Sequence, residues 1–191
     1  MHQYTADKMG IDRAKAKTIN FLMLFGGGAF NLSIQLGIDY KEALWLIKQW
    51  KEDMPLIQRD IEKTVALGRT YGYVNNIIGG KRRLPNLQLP NTGKEVEKKI
   101  KGAGRQAYSF RIQGSAAVII KLAALKVSKA GYWVINEVHD ELVIRKHLNT
   151  GLLTEVDKVK VKKIMESVLA SHLLLPIDVD AQIVDSWGEA E

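Results

Sequence analysis

Apolar residues recur every three or four positions through most of this chain and every second position only in its last third. The first pattern predicts amphipathic helices and the second half-buried strands. Residues 12–25, DRAKAKTINFLMLF, read as a helix with Asp12 as its N-cap, interrupted by the glycines at 26–28. A short helix is predicted over about 29–36, stopping at Gly37. Asp39 and Glu42 resemble a capping box that opens a strong helix through Leu44, Ile47 and Trp50. Pro55 begins the next helix, predicted to end near Gly68. Residues 71–92 are rich in Gly, Asn and Pro and read as a short hairpin or loop. Thr92 and Glu95 suggest another cap, opening a long helical stretch to about Lys129 with a bend near Ser109–Gln113 and a stop at Gly131.

The period then changes. YWVINEV (132–138) and ELVIRK (141–146) read as strands joined by His139 and Asp140 at a tight polar tip. Thr154 opens a lysine-rich amphipathic helix to about Leu173. After Pro176, IDVDAQIV alternates as a half-buried strand should. This is an α+β pattern: a helical lobe, then a long helix, a hairpin, a covering helix and a final antiparallel strand.

Composition narrows the classes. A length of 191 residues fits one domain or two lobes, and an apolar fraction of 46% excludes a disordered or collagen-like chain. No run of about 18 apolar residues is present, so a transmembrane helix is not expected. The first residues lack the apolar core of a secretory signal. The absence of Cys excludes disulfides, thiolate–zinc sites and cysteine nucleophiles, and the four His are scattered. The net charge of +7 fits either a polyanion partner or solvated surface lysines, and its distribution must decide.

Several groupings carry candidate chemistry. Arg13, Lys17, Phe21 and Phe25 follow one another at steps of four. Each such step drifts only about 40° around a helix, so they form one stripe. Cations toward a helix N-terminus suit phosphate oxygens, and aromatic rings further along suit a sugar or base. The order matches a nucleoside triphosphate laid along the helix; the alternative is two core phenylalanines beside two solvated cations. At the tip Glu137–Glu141, adjacent carboxylates repel, a cost that a divalent cation such as Mg²⁺ relieves; an ordinary polar turn is the alternative. Lys81, Arg82 and Arg83 in the Gly-rich segment suit a nucleic-acid backbone or bulk solvent. Arg105 and Gln113 lie eight residues apart on roughly one helix face, and both residue types bond base edges and sugars.

Together these residues resemble the C-terminal part of the family A DNA polymerases, the bacterial DNA polymerase I type. Arg13, Lys17, Phe21, Phe25 and Gly26 are similar to the fingers motif R-x3-K-x3-F-x3-Y-G. Gln113–Lys121, QGSAAVIIK, looks like the Q-G-x-A-A-D-x-x-K helix, and Val138–Val143 matches V-H-D-E-L-V of the palm. GYV at 72–74, the basic segment ending at Pro85 and Asp185-Ser186-Trp187 are smaller echoes, so the resemblance runs almost end to end. It implies fingers over residues 1–92 and the C-terminal part of the palm over 93–191. It implies that Arg13 and Lys17 hold the triphosphate of an incoming deoxynucleoside triphosphate, with Lys17 next to the reacting phosphate. Phe21 would pack on the sugar, Phe25 beside the template base, and His2 would align with a phosphate-contacting His. Asp140 would ligate the catalytic Mg²⁺ ions with Glu141 as auxiliary, and His139 would lie by the primer terminus. Arg105 and Gln113 would touch the primer–template duplex, with Lys81, Arg82 and Arg83 on its backbone.

The departures are Phe25 for the usual Tyr, Leu22 for Gly, Ser109 for Asn and Val118 for Asp, together with a short spacer from His2 to Arg13. No stretch like D-Y-S-Q-I-E, which carries the family's other main palm Asp, occurs in the sequence. The expectation is therefore one piece of a split or truncated, phage-like polymerase, completed by an N-terminal fragment that carries this Asp. Its expected place is the cytoplasm, at the nucleoid or in a phage-infected host. Single-subunit RNA polymerases share a similar fingers helix but lack the Glu after His-Asp, so Glu141 points to DNA as product. The competing expectation is a non-catalytic DNA-binding remnant of such a polymerase.

Overall fold

The computed structural model describes residues 1–147 and 151–189. They form a helix-dominated α+β fold of two compact units, Met1–Ile112 and Gln113–Glu191. Among the described residues no helix is long and apolar enough to cross a membrane.

The first unit opens with α1 (His2–Met9), which the sequence pattern did not predict. Its buried face is Thr5, Ala6 and Met9, of which only Met9 is a large apolar side chain, too little to read as an apolar stripe. Helix α2 (Arg13–Leu24) starts as expected at Asp12, whose carboxylate accepts the Lys15 N–H at 2.8 Å. Helices α3 (Ala29–Leu36) and α4 (Tyr40–Asp53) follow, the latter capped by Asp39 through the Lys41 and Glu42 N–H groups. Ile19, Leu22, Met23, Leu32, Leu46 and Trp50 pack into one core between these helices.

Helix α5 (Pro55–Tyr71) runs past the predicted stop at Gly68 and ends at Gly72, whose φ of +73° is the left-handed cap. Gly68 serves packing instead: a β-carbon there would overlap Leu87 Cδ1 at 2.7 Å. The segment after it is a hairpin, β1 (Tyr73–Asn75) against β2 (Lys81–Arg83), followed by a 3-10 turn over Pro85–Gln88. A second core joins Val74, Leu84 and Leu87 to Ala103 and Ala107 of α6 (Lys94–Lys129). The expected bend near Ser109–Gln113 does not interrupt the helical run of α6.

In the second unit, β3 (Tyr132–Val138) pairs antiparallel with β4 (Glu141–Lys146), with a bulge at Ile135. Helix α7 (Glu155–Glu166) begins in a capping box between Thr154 and Asp157. It stops seven residues before the predicted Leu173, where Lys126 Nζ holds the Ser167 carbonyl at 3.3 Å and Leu169 turns to a φ of +53°. Val127, Tyr132 and Val161 form the third core. Asp157 ties the unit together: it accepts from Lys146 Nζ at 2.8 Å and from the Tyr132 hydroxyl at 2.9 Å.

The final antiparallel strand is a correction. Residues 177–184 carry no strand ladder, and both sheets have only two strands among the described residues. Ile177, Val179 and Ala181 are half-buried between exposed neighbours, so the alternation is real. A ladder also needs an edge to pair with. Here the Val179 N–H goes to the Glu166 carboxylate at 3.3 Å and the Ala181 N–H to Asp180 at 2.9 Å.

Candidate functional site

Helix α2 separates two kinds of residue. Ala16, Ile19, Asn20 and Met23 face the core, while Arg13, Lys17 and Phe21 stay exposed, and Phe25 at the C-cap is half-buried. The spaced residues therefore do form one surface stripe. The Phe21 and Phe25 rings stack at 6.0 Å with 14° between their planes, and Lys17 Nζ lies 6.0 Å from the Phe21 centroid. Helix α1 brings the His2 ring to 5.4 Å from that of Phe21, so His2 joins the stripe despite its distance in sequence. The helix ends tightly, with the Gly27 N–H on the Leu22 carbonyl at 2.6 Å. The Leu22 side chain fills the place a β-carbon at Gly27 would need, so the unusual bulk at 22 is absorbed by the absence of a side chain at 27.

Behind the stripe lies a polar cluster that sequence reasoning missed. Thr5, Asn20 and Trp50 are fully buried, and Asn20 bonds Trp50, Thr5 and His2. The only sequence signal was a polar Asn20 on the apolar face of the predicted helix.

Arg105 of α6 is exposed at its head, and its stem covers Gly26 at the end of the stripe. The basic residues of β2 are all exposed. Lys81 Nζ sits 4.4 Å from the Tyr73 ring centroid, and Arg82 bonds the Gln106 amide oxygen at 3.2 Å. Burial first, and then the Asp60 carboxylate, push the Tyr108 hydroxyl of α6 above its usual pKa.

The second unit holds Gln113, exposed on α6, and the carboxylate tip. His139 and Asp140 form a two-residue turn between the paired Val138 and Glu141. His139 has a φ of +54°, a left-handed conformation that a non-glycine residue adopts at some cost. His139, Asp140 and Glu141 are exposed, and Asp140 pairs with no cation among the described residues. Glu141 does have a partner: the Trp187 indole donates to its Oε1 at 3.0 Å. That bond across 46 residues was not legible in the sequence, where Asp185-Ser186-Trp187 was only a short echo. Among the described residues no three acidic or His side chains converge on one point. Two adjacent exposed carboxylates nevertheless fit Mg²⁺, which takes one or two protein carboxylates and completes its shell with water and substrate phosphates.

The sequence profile of DNA polymerase family A matches residues 2–189, and the chain belongs to that family. It is 36% identical over 183 residues to the thermostable DNA polymerase I of Thermus filiformis, covering 94% of this chain and 21% of that protein. It is 35% identical to DNA polymerase I of Deinococcus radiodurans, covering all of this chain and 20% of that one. The chain thus spans about a fifth of the length of these curated relatives. In fold it is similar to the POL domain of Pol1 from M. smegmatis, solved in complex with DNA primer-template and dNTP. The TM-score is 0.74 at 24% identity, over 93% of this chain and 32% of that one.

Proposed function

We propose that this chain is the fingers (1–92) and C-terminal palm (93–191) of a DNA-directed DNA polymerase that extends a primer 3′ end. The observation that carries the reading is the stripe His2–Arg13–Lys17–Phe21–Phe25, gathered from two helices with Arg13, Lys17 and Phe21 exposed and His2 and Phe25 half-buried. Arg13 and Lys17, near the α2 N-terminus, hold the triphosphate of an incoming deoxynucleoside triphosphate. Lys17 offsets charge that builds on the reacting phosphate. Phe21 packs on the sugar, and Phe25 stacks by the template base without the hydroxyl that the family's Tyr would supply there. Arg105, Gln113 and the β2 cations Lys81, Arg82 and Arg83 grip the primer–template, and His139 lies by the primer end.

Asp140 and Glu141 would hold Mg²⁺, whose two-metal chemistry stabilises the attacking 3′-oxygen and the leaving pyrophosphate. The other main carboxylate of such a site comes from polypeptide outside residues 1–191, on an N-terminal polymerase segment. The reading places the protein in the cytoplasm, at the nucleoid or in a phage-infected host.

The test is Mg²⁺-dependent primer extension by the chain mixed with a family A segment that carries the thumb and the D-Y-S-Q-I-E motif. Extension in the mixture that disappears with Asp140→Ala supports the reading. Extension that survives Asp140→Ala overturns it. Assembly on DNA without any incorporation leaves the second reading, a DNA-binding remnant, which the net charge of +7 and the exposed β2 cations favour.

A further inference from the structure

The buried cluster behind α2 fixes its own hydrogen-bond directions. The Trp50 indole Nε1 is a donor only, and it lies 2.7 Å from Asn20 Oδ1. The amide oxygen therefore faces Trp50, and the amide nitrogen faces the other way. Asn20 Nδ2 has two hydrogens and two partners, Thr5 Oγ1 at 3.0 Å and His2 Nδ1 at 3.0 Å. The Thr5 hydroxyl keeps its own hydrogen for the Met1 carbonyl or Asn20 Oδ1, each at 3.2 Å. Every group of the cluster is satisfied in one arrangement. In that arrangement His2 Nδ1 accepts, so the ring hydrogen is on Nε2.

We propose that Asn20 is a positioning residue for His2. Its amide holds the imidazole beside Phe21 as the Nε2–H tautomer and makes His2 a hydrogen-bond donor to a phosphate oxygen of the deoxynucleoside triphosphate on α2. This rests on the nucleotide reading of the stripe. Trp50 is the anchor of the relay: buried in α4, it sets the amide orientation, the amide sets the ring, and the ring faces the ligand. A purely structural role for Asn20 would need only the Trp50 and Thr5 bonds; the bond to half-buried His2 carries the core arrangement out to the surface stripe.

The experiment uses the full chain. Long-range ¹H–¹⁵N spectra read the tautomer of His2, and titration with Mg²⁺-dATP reads binding, in the parent, Asn20→Asp, His2→Ala and the double variant. A carboxylate at 20 still accepts from Trp50 and Thr5 but demands a hydrogen on His2 Nδ1. The parent is expected to show Nε2–H, and Asn20→Asp to move a hydrogen to Nδ1. Asn20→Asp is expected to change dATP affinity by about threefold or more in the parent background and not at all in the His2→Ala background.

An Nδ1–H tautomer in the parent overturns the proposal. So does an equal effect of Asn20→Asp in both backgrounds, or no effect in either. If the Asp variant unfolds, Asn20→Ser, whose hydroxyl is too short to reach Nδ1, replaces it in the same cycle. A parent that binds no dATP overturns the nucleotide reading and the role assigned to His2; the tautomer in that same sample then shows separately whether the Asn20–His2 bond exists.

Discussion

The side-chain stem of Arg105 occupies the space that a β-carbon at Gly26 would need. Gly26 itself has a φ of +76°, where an L side chain is strained. The close of the α2 stripe and a predicted DNA-contacting arginine thus depend on one missing methyl group. Gly26→Ala is expected to cost about 1–3 kcal/mol from backbone strain and overpacking. It should also weaken primer–template binding, because Arg105 must move. Gly28 has an ordinary φ of −116° and open space around it. Gly28→Ala should therefore stay within about 1 kcal/mol. Denaturant melts and DNA titrations of the two variants measure the contrast.

Lys17 and Arg13 share a stripe but differ in position along α2. In primer extension by the completed enzyme, Lys17→Ala is expected to lower kcat about 10²–10³-fold, as loss of a group that acts on developing charge does. Arg13→Ala should act mainly on KM for the nucleotide. Equal effects on KM alone for both variants would remove Lys17 from the reacting phosphate.

The bond from Trp187 to Glu141 fixes one of the two carboxylates at the hairpin tip. Trp187→Phe keeps the ring and removes the donor. Mn²⁺ binding at the tip, read by paramagnetic relaxation, is expected to weaken about threefold, while Trp187→Phe in a Glu141→Gln background adds nothing.

Salt dependence tests the β2 cations. Changing Lys81, Arg82 and Arg83 together to Ala should make the plot of log K for DNA against log salt shallower by about 2–3. Arg82 is already engaged by Gln106, so its share is expected to be the smallest.

Acid stability should report on Asp157. The Lys146 ammonium and the Thr154 hydroxyl beside it, then the Thr154 N–H and the Tyr132 hydroxyl, hold its carboxyl well below the usual value of 3.8. A carboxylate with a depressed folded-state pKa stabilises fully above its unfolded value and loses that contribution as the pH falls below it. The stabilisation is thus complete at neutral pH and declines from about pH 4 downward. Asp157→Asn should lower the melting temperature at pH 7 and flatten the acid limb of the stability profile relative to the parent.

Much of this protein was legible in one dimension. The Asp12 and Asp39 caps, the hairpin register around His139 and Asp140, and the four-residue spacing of the α2 stripe depend on neighbours a few residues apart. Local chain geometry alone sets such features, so the residues spell them out. Other features needed the folded chain. Gly68 read as a helix stop because its close contact, Leu87, lies 19 residues further on. The IDVDAQIV segment kept its alternation without becoming a strand, because a ladder requires pairing with a second strand and it pairs with none among the described residues. The Asn20–His2 and Glu141–Trp187 bonds span 18 and 46 residues. The sequence by itself determined which residues carry charge, ring or carboxylate and which face of a helix shows them. Only the tertiary structure decided that the buried Asn20 amide stands behind His2 and the Trp187 indole beside Glu141, because those choices follow from contacts between segments far apart in the chain.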